Sequence, residues 1–333
     1  MIISRTPFRV SFFGGGTDYP GWFQDQKGAV LATTIDKYCY ITCRYLPPFF
    51  EHKFRIIYSK MEHVHKVDEI QHPAVREVIK FLKIKEGLEI HHDGDLPART
   101  GLGSSSAFTV GLLNSLYALK GEMITKERLA KEAICIEQEM CRENVGCQDQ
   151  MLAAHGGLNL IEFGGPNHLQ VNKVTISREK IDNLQDHLML YFTGFSRTAS
   201  EIAAHQIKNI PKKREELKTI YQMAHHALEI LNRKGHLEEF GKLLHESWKI
   251  KRELSDKVST AHIDEIYTAA RDAGAMGGKL LGAGGGGFML FFASPRQQKK
   301  IQQKLKKLLL VPFKFENLGS QIIFYQPNKY HLV

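Results

Sequence analysis

The sequence predicts an α+β protein built in two domains, and three observations carry that prediction. At 333 residues the chain is long enough for about two domains, with ample length for a sizeable core. The first 60 residues alternate or run apolar and are rich in β-formers, most clearly over 8–13, 38–46 and 54–58, which read as strands. After about residue 180 the texture changes: 188–193 reads as a strand, and long helical patterns then fill 197–254 and 262–272. No low-complexity linker or internal repeat interrupts the chain, so the expected units are 1–180 and 181–333.

The remaining elements follow in order. Residues 73–85 read as a helix and 88–92 as a strand. A serine-rich turn then delivers a helix over about 105–119, where Phe108, Leu112, Leu116 and Leu119 recur at helical spacing and Gly121 marks the stop. Thr125 can cap a further helix running to about Arg142, and 158–163 is strand-like. A strand at 288–292, a helix and two more strands close the chain.

Composition removes several classes of function. Hydrophobic residues at 43% and charged residues at 24% exclude wholesale disorder, and no apolar run approaches the ~20 residues of a membrane span. The first residues lack the layout of a signal peptide, so a cytoplasmic protein with no membrane partner is expected. Cys39, Cys43, Cys135, Cys141 and Cys147 are odd in number and lack paired C-x-x-C spacing, which disfavours a disulfide framework or a structural zinc site. The net charge of +9 lies largely in Lys212-Lys213-Arg214 and in an acid-free stretch from Arg296 to Lys314. In that stretch Ile301, Leu305, Leu308 and Leu309 repeat at helical spacing. The lysines are therefore expected on the solvated side of a packed helix, and no nucleic-acid partner is expected.

The run from Pro97 to Ala107 places Gly101, Leu102, Gly103, Ser104, Ser105 and Ser106 directly before the apolar helix. Helix N-termini carry N–H groups without intrahelical partners and the positive end of the macrodipole, so this arrangement builds an anion site; a serine-capped core helix is the plainer reading. There is no Gly-x-x-x-x-Gly-Lys-Ser/Thr run and no protein-kinase signature. Residues 282–287 spell G-x-G-x-x-G, but a strand follows them where a dinucleotide site needs a helix. A tight turn, or a close approach of backbone to another segment or a ligand, remains.

Three acids stand out. Glu137 shares one helix face with Ala130, Ala133, Ile134 and Cys141, so it is an inward-facing carboxylate in need of a partner, either Mg²⁺ on nucleotide phosphates or an arginine. Asp149 follows the Gly146 turn and could cap the short helix over 151–154. Near the N-terminus, Arg9 leads into Gly14-Gly15-Gly16-Thr17-Asp18-Tyr19, a loop able to hydrogen-bond a sugar or to form a simple Asx turn.

These segments occur together and in order, and in them the chain resembles the GHMP superfamily of small-molecule kinases over essentially its whole length. The PxxxGLGSSSA run at 97–107 matches that family's ATP motif, 6–19 its N-terminal substrate motif, and 279–287 its C-terminal glycine motif. The resemblance implies an N-terminal domain like ribosomal protein S5, a ferredoxin-like C-terminal domain with added helices, and ATP in the cleft between them. Gly101, Leu102, Gly103, Ser104, Ser105 and Ser106 would hold the phosphates, Ser105 and Glu137 would ligate Mg²⁺, and Asp149 would be the catalytic base with Arg9 as the nearby cation.

Substrate choice rests on a departure from the family pattern. Galactokinases carry a Glu-His pair where this chain has Gly15-Gly16, and its absence leaves room for a longer sugar and bares N–H groups that could face an anion. The stretches 46–50, 57–60 and 71–75 also resemble the heptose 7-phosphate kinase branch, which phosphorylates the anomeric hydroxyl of a sugar phosphate. Thr17, Asp18, Arg197, Lys279, Gly284 and Gly285 complete the expected substrate contacts. An L-fucose-like or galactose-like sugar 1-kinase is the alternative, and a catalytically silent sugar sensor on the same scaffold the rival from another class.

Overall fold

Two long strands, β1 (Ile2–Phe13) and β2 (Lys27–Tyr45), are joined across α1 (Pro20–Phe23) and form the spine of a nine-stranded sheet in the computed structural model. The structure describes residues 1–98, 100–165, 169–194, 199–233 and 237–327, apart from the side chains of 199 and 200. Beyond β2 come the hairpin β3 (Phe54–Ile57) and β4 (Met61–Val64), then α2 (Pro73–Phe81) and β5 (Leu88–Gly94). Next are α3 (Ser104–Lys120), α4 (Lys126–Cys135) and α5 (Gln148–His155), followed by β6 (Asn159–Gly164), β7 (Leu169–Lys173) and α6 (Arg178–Asp186). The path runs from the last strand of the chain, β13 (Gln321–Tyr325), through β1-β2-β5-β3-β4. The 19 residues of β2 are long enough to pair β5 with one stretch and β6 with another.

The second sheet is four-stranded and antiparallel in the order β11-β8-β10-β9. It is made from β8 (Leu188–Gly194), β9 (Gly277–Leu280), β10 (Gly287–Phe292) and β11 (Leu309–Val311). Its helices are α7 (Ala199–Asn209), α8 (Arg214–Asn232), α9 (Glu238–Glu253), α10 (Ala261–Asp272) and α11 (Pro295–Lys304). The chain then returns: β12 (Phe315–Glu316) pairs β2, and β13 (Gln321–Tyr325) pairs β1. A division at 180 leaves these last two strands across the boundary from the sheet they complete. Phenylalanines join the halves, with the Phe240 ring centroid 5.5 Å from Phe12, 5.1 Å from Phe13 and 5.9 Å from Phe292.

The α+β architecture is the expected one, with local departures. Helix α2 ends at Phe81 rather than Lys85, and Lys83 adopts a left-handed φ of 52° that a helix cannot continue through. Leu308 and Leu309 lie beyond α11, because the chain leaves helical geometry at Leu305 and Leu309 pairs with Phe192 in β11. Helix α4 stops at Cys135 and widens into a π turn over Ile136–Met140, closed by the Cys141 N–H on the Ile136 carbonyl at 2.8 Å.

What positions the site is α3. It is apolar nearly all round and buried along its length, so it sits between layers rather than on a surface. Gly111 lets it run close to β1: a Cβ there would lie 2.8 Å from Thr6 Oγ1, and Ser4 Oγ donates to the Gly111 carbonyl. The start of α3 is thereby held at the far end of β1, where the Arg9 N–H donates to Leu102 O at 3.0 Å.

Candidate active site

Arg9 organises one corner. Its Nε donates to Asp149 Oδ1 at 2.7 Å and its Nη2 to Oδ2 at 2.8 Å, a bidentate pair, while Nη1 donates to the Gly101 carbonyl at 2.6 Å. Both side chains are largely enclosed, at 6% exposure for Arg9 and 22% for Asp149, so removing either partner would leave a charge uncompensated. Asp149 does not cap its helix: the cap position of α5 is Cys147. The turn that opens α3 lies directly against the pair, since a Cβ at Gly103 would sit 3.2 Å from Arg9 Cγ and 3.3 Å from Asp149 Oδ2.

The serines do not cap α3 either. The cap position is Gly103, in a left-handed conformation with φ 75°, which has no side chain to cap the first N–H groups. All three serines fall in the first turn, with Ser105 exposed and Ser106 turned inward. Ser106 Oγ donates to Glu137 Oε2 at 2.7 Å, Thr109 Oγ1 donates to Oε1 at 2.7 Å, and Gln150 Nε2 donates to Oε2 as well. Glu137 is thus met by hydroxyls and an amide, with no cationic side chain among its described hydrogen-bond partners. Burial pushes its carboxyl up to about 7 against the pull of those donors. The π turn carries this residue, and such widened turns frequently mark functional sites.

Asp18 forms the third part. The Gly16 N–H donates to Oδ1 at 2.9 Å and Gln148 Nε2 to Oδ2 at 2.9 Å, and burial together with the Asp149 charge raises its carboxyl above the ordinary range. The Gly16 N–H is therefore engaged and cannot face an anion, contrary to expectation. Nor is there space beside Gly16, where a Cβ would meet Leu217 at 3.3 Å; the room lies at Gly15, whose nearest neighbours would be Gln148 Nε2 at 3.8 Å and Ser11 Oγ at 4.0 Å. Thr17 is also spoken for: its hydroxyl donates to Gly14 O and accepts from the Ala29 N–H, tying the turn to β2.

The second half contributes a wall. Gly282 and Gly287 face the turn before α3 so closely that a Cβ would lie 2.5 Å from Gly101 Cα or 2.3 Å from Thr100 O. Gly284 and Gly285 are set against Val258, with the Gly285 N–H on its carbonyl at 3.1 Å, so their contact is with the chain's own backbone. Lys279 donates to Phe12 O at 2.9 Å and is buried; burial, with Lys251 and Arg9 nearby, drives its ammonium well down. Arg197 lies outside the described residues.

Three residues in a row read three parts of the site: Gln148 holds Asp18, Asp149 holds Arg9 and Gln150 holds Glu137. Of these the sequence reading found only the middle one. It also missed Thr109 and Lys251, although each carried a signal. Thr109 is one helical turn from Ser106. Lys251 follows Leu244 and Trp248 on an apolar stripe, where a cation needs acceptors and finds the carbonyls of Leu280 at 3.2 Å and Gly282 at 2.6 Å. Burial lowers its ammonium to about 8.

Comparison with known proteins accords with this geometry. A family model described as the GHMP kinase N-terminal domain matches residues 70–157, and one described as the GHMP kinase C-terminal domain matches 211–309. The D-glycero-alpha-D-manno-heptose 7-phosphate kinase of Campylobacter jejuni is 32% identical over 297 residues, covering 85% of this chain and 86% of that protein. The galactokinase of Pyrococcus furiosus is 25% identical over 326 residues, covering 85% and 86%. Among solved structures, a D-glycero-D-manno-heptose 1-phosphate kinase from Bacteroides thetaiotaomicron superposes with a TM-score of 0.77 at 25% identity, covering 96% of this chain and 98% of its own.

Proposed function

The chain belongs to the GHMP kinase family and is a sugar kinase, a phosphotransferase with an alcohol acceptor, and on that premise we propose that it transfers the γ-phosphoryl of ATP to the anomeric hydroxyl of D-glycero-D-manno-heptose 7-phosphate. The observation that carries the chemistry is the abutment of Gly103 on Arg9 and Asp149, which sets a helix N-terminus led by glycine beside a carboxylate. Phosphates at that N-terminus meet several N–H donors and the positive end of the α3 dipole. Asp149 keeps lone pairs beyond those used by Arg9, so it can accept the hydroxyl proton. The sugar oxygen bonds to the γ-phosphorus as its proton passes to Asp149, and the bond from phosphorus to the bridging oxygen breaks to release ADP. Arg9 fixes the carboxylate and, through the Gly101 carbonyl, ties it to the phosphate turn.

The residues around Glu137 fit Mg²⁺. A buried carboxylate flanked by two hydroxyls and the Gln150 amide offers hard oxygen ligands, and a divalent ion would supply the positive charge that Glu137 lacks among its described partners. Glu137 would hold it, with Ser106 already on that carboxylate and Ser105 the exposed hydroxyl one position nearer the loop. When bound, the ion neutralises charge on the transferring phosphates.

The heptose 7-phosphate assignment draws on the Campylobacter relative and on the space at Gly15. The two heptose kinases among the relatives differ in where the substrate already bears phosphate, so the test supplies both sugars. ADP release is measured with heptose 7-phosphate, heptose 1-phosphate, unphosphorylated heptose, L-fucose and galactose. The highest kcat/KM is expected for heptose 7-phosphate. Preference for an unphosphorylated hexose would replace it with a fucose-like or galactose-like kinase, and no ADP with any of the five would remove the assignment.

A further inference from the structure

Lys251, near the end of α9, is 7% exposed, and its described partners are two carbonyls and no carboxylate. A buried cation without a counter-charge is costly, and an apolar side chain of similar length would fill the same space at less expense. What the charge holds is therefore informative. Its Nζ donates to Gly282 O at 2.6 Å and to Leu280 O at 3.2 Å, spanning the three residues where the chain leaves β9 for the glycine turn. The turn before α3 rests on this same segment: a Cβ at Gly101 would lie 2.4 Å from Leu281 O, and one at Gly282 would lie 2.5 Å from Gly101 Cα. Gly282 is left-handed at φ 74°, in backbone that has no side chain of its own to fix it. On the other side, the Gly101 carbonyl accepts from Arg9 Nη1 at 2.6 Å, and Arg9 holds both oxygens of Asp149. Direct contacts thus run from Lys251 through Gly282, Gly101 and Arg9 to Asp149.

We infer that Lys251 is a positioning residue for phosphoryl transfer: by holding the Leu280 and Gly282 carbonyls it seats the second half of the molecule against Gly101, and so keeps Arg9 and Asp149 aligned with the N-terminus of α3. The inference rests on the kinase reading of the cleft. The charge matters because a hydrogen bond from an ammonium is about twice as strong as one from a neutral amine. Burial lowers this ammonium to about 8; Arg9 on β1 pushes it the same way and Asp18 opposes. Lys279 on β9 is the other charged neighbour, and the buried positions of α8, which also packs on α9, are all apolar. Below that value the grip is complete. Above it the neutral amine holds both carbonyls more weakly, and the alignment loosens.

The test uses the full-length enzyme with ATP and heptose 7-phosphate, and reads both a variant and the wild type. Lys251→Met keeps the apolar stem and deletes the ammonium. It should lower kcat about 10- to 100-fold, the cost of a small misplacement of reacting groups, with the sugar KM little changed and the fold retained by circular dichroism. A merely structural lysine would lower the melting temperature and leave kcat of the folded enzyme at the wild-type value. In the wild type, kcat/KM for ATP should fall as pH rises through about 8, and this limb should be missing from Lys251→Met. A wild-type kcat in folded Lys251→Met overturns the inference while leaving the kinase intact, as does a variant that keeps the limb. Should the variant fail to fold, the wild-type profile decides alone, and a level profile between about pH 7 and 9 overturns the inference. If wild type releases ADP with none of the sugars, the reading of the cleft itself has failed, and this inference with it.

Discussion

The molecule has two glycine-rich turns, 14–16 near the N-terminus and 282–287 near the C-terminus, and they use glycine for opposite ends. In the second turn the missing side chains are filled by backbone: Gly282 and Gly287 are pressed onto Gly101 and Thr100, both with φ values only glycine adopts easily. In the first turn Gly14 does the same against Ala29 O, but Gly15 is outside the left-handed region and a Cβ there would meet its neighbours only at ordinary contact distance. One turn is a structural clamp on the turn that opens α3, the other leaves room for a Cβ beside Gln148 and Ser11. Similar composition therefore says little about role until the neighbour of each missing Cβ is known.

The comparison can be broken at several points, and the largest effect belongs to the chemistry between the turns. Asp149→Asn should lower kcat by ~10²- to 10⁴-fold with the fold retained by circular dichroism, as loss of a general base requires; turnover near wild type would reduce Asp149 to a structural partner of Arg9. Next comes the clamp. Gly287→Ala forces a Cβ to 2.3 Å from Thr100 O at a φ of 111° and should cost about 2–4 kcal/mol in chemical denaturation. A variant as stable as wild type would show that the second turn is loose.

The buried acid gives a smaller, pH-dependent effect. Glu137 has its carboxyl raised from 4.5 to about 7, so between those values the native protein keeps a proton that the unfolded chain has lost. The contribution of Glu137 to stability is then greatest below about pH 4.5 and falls as pH rises toward 7. In metal-free buffer Glu137→Gln should match wild type near pH 4 and exceed it by about 1–3 kcal/mol above pH 7.5, with activity lost. Parallel stability curves for the two proteins across this range would contradict the burial argument. The smallest effect is at the open turn: Gly15→Ala should change stability by less than about 0.5 kcal/mol, and a loss as large as that of Gly287→Ala would abolish the contrast.

Much of this site was legible in the sequence because its parts are local. The glycines and serines before α3, the Gly121 stop and the Thr125 cap act within a turn or two of themselves, and Gly121 ends the helix at φ 78° as its position implied. Glu137 was found on the inward face by periodicity. What it touches was not, because Ser106, Thr109 and Gln150 come from two other helices, and the π turn that carries it has no simple sequence mark. The return of β13 to β1 was equally hidden: pairing between Ile2 and Tyr325 is decided by tertiary fit, not by local propensity. Gly16, Thr17, Gly284 and Gly285, expected as substrate contacts, have neighbours within the chain itself. A polar or glycine residue in a motif can serve the ligand or the motif's own backbone, and only neighbours distinguish the two.

The account stands on phosphoryl transfer to the anomeric oxygen at the junction of Gly103, Arg9 and Asp149. Phosphorus NMR of the product formed from ATP and heptose 7-phosphate reads this directly. The predicted result is one equivalent of ADP and a new phosphate resonance coupled to the anomeric proton, absent with Asp149→Asn. A new phosphate on any other oxygen, or an unaltered heptose 7-phosphate in the presence of active enzyme, would contradict it.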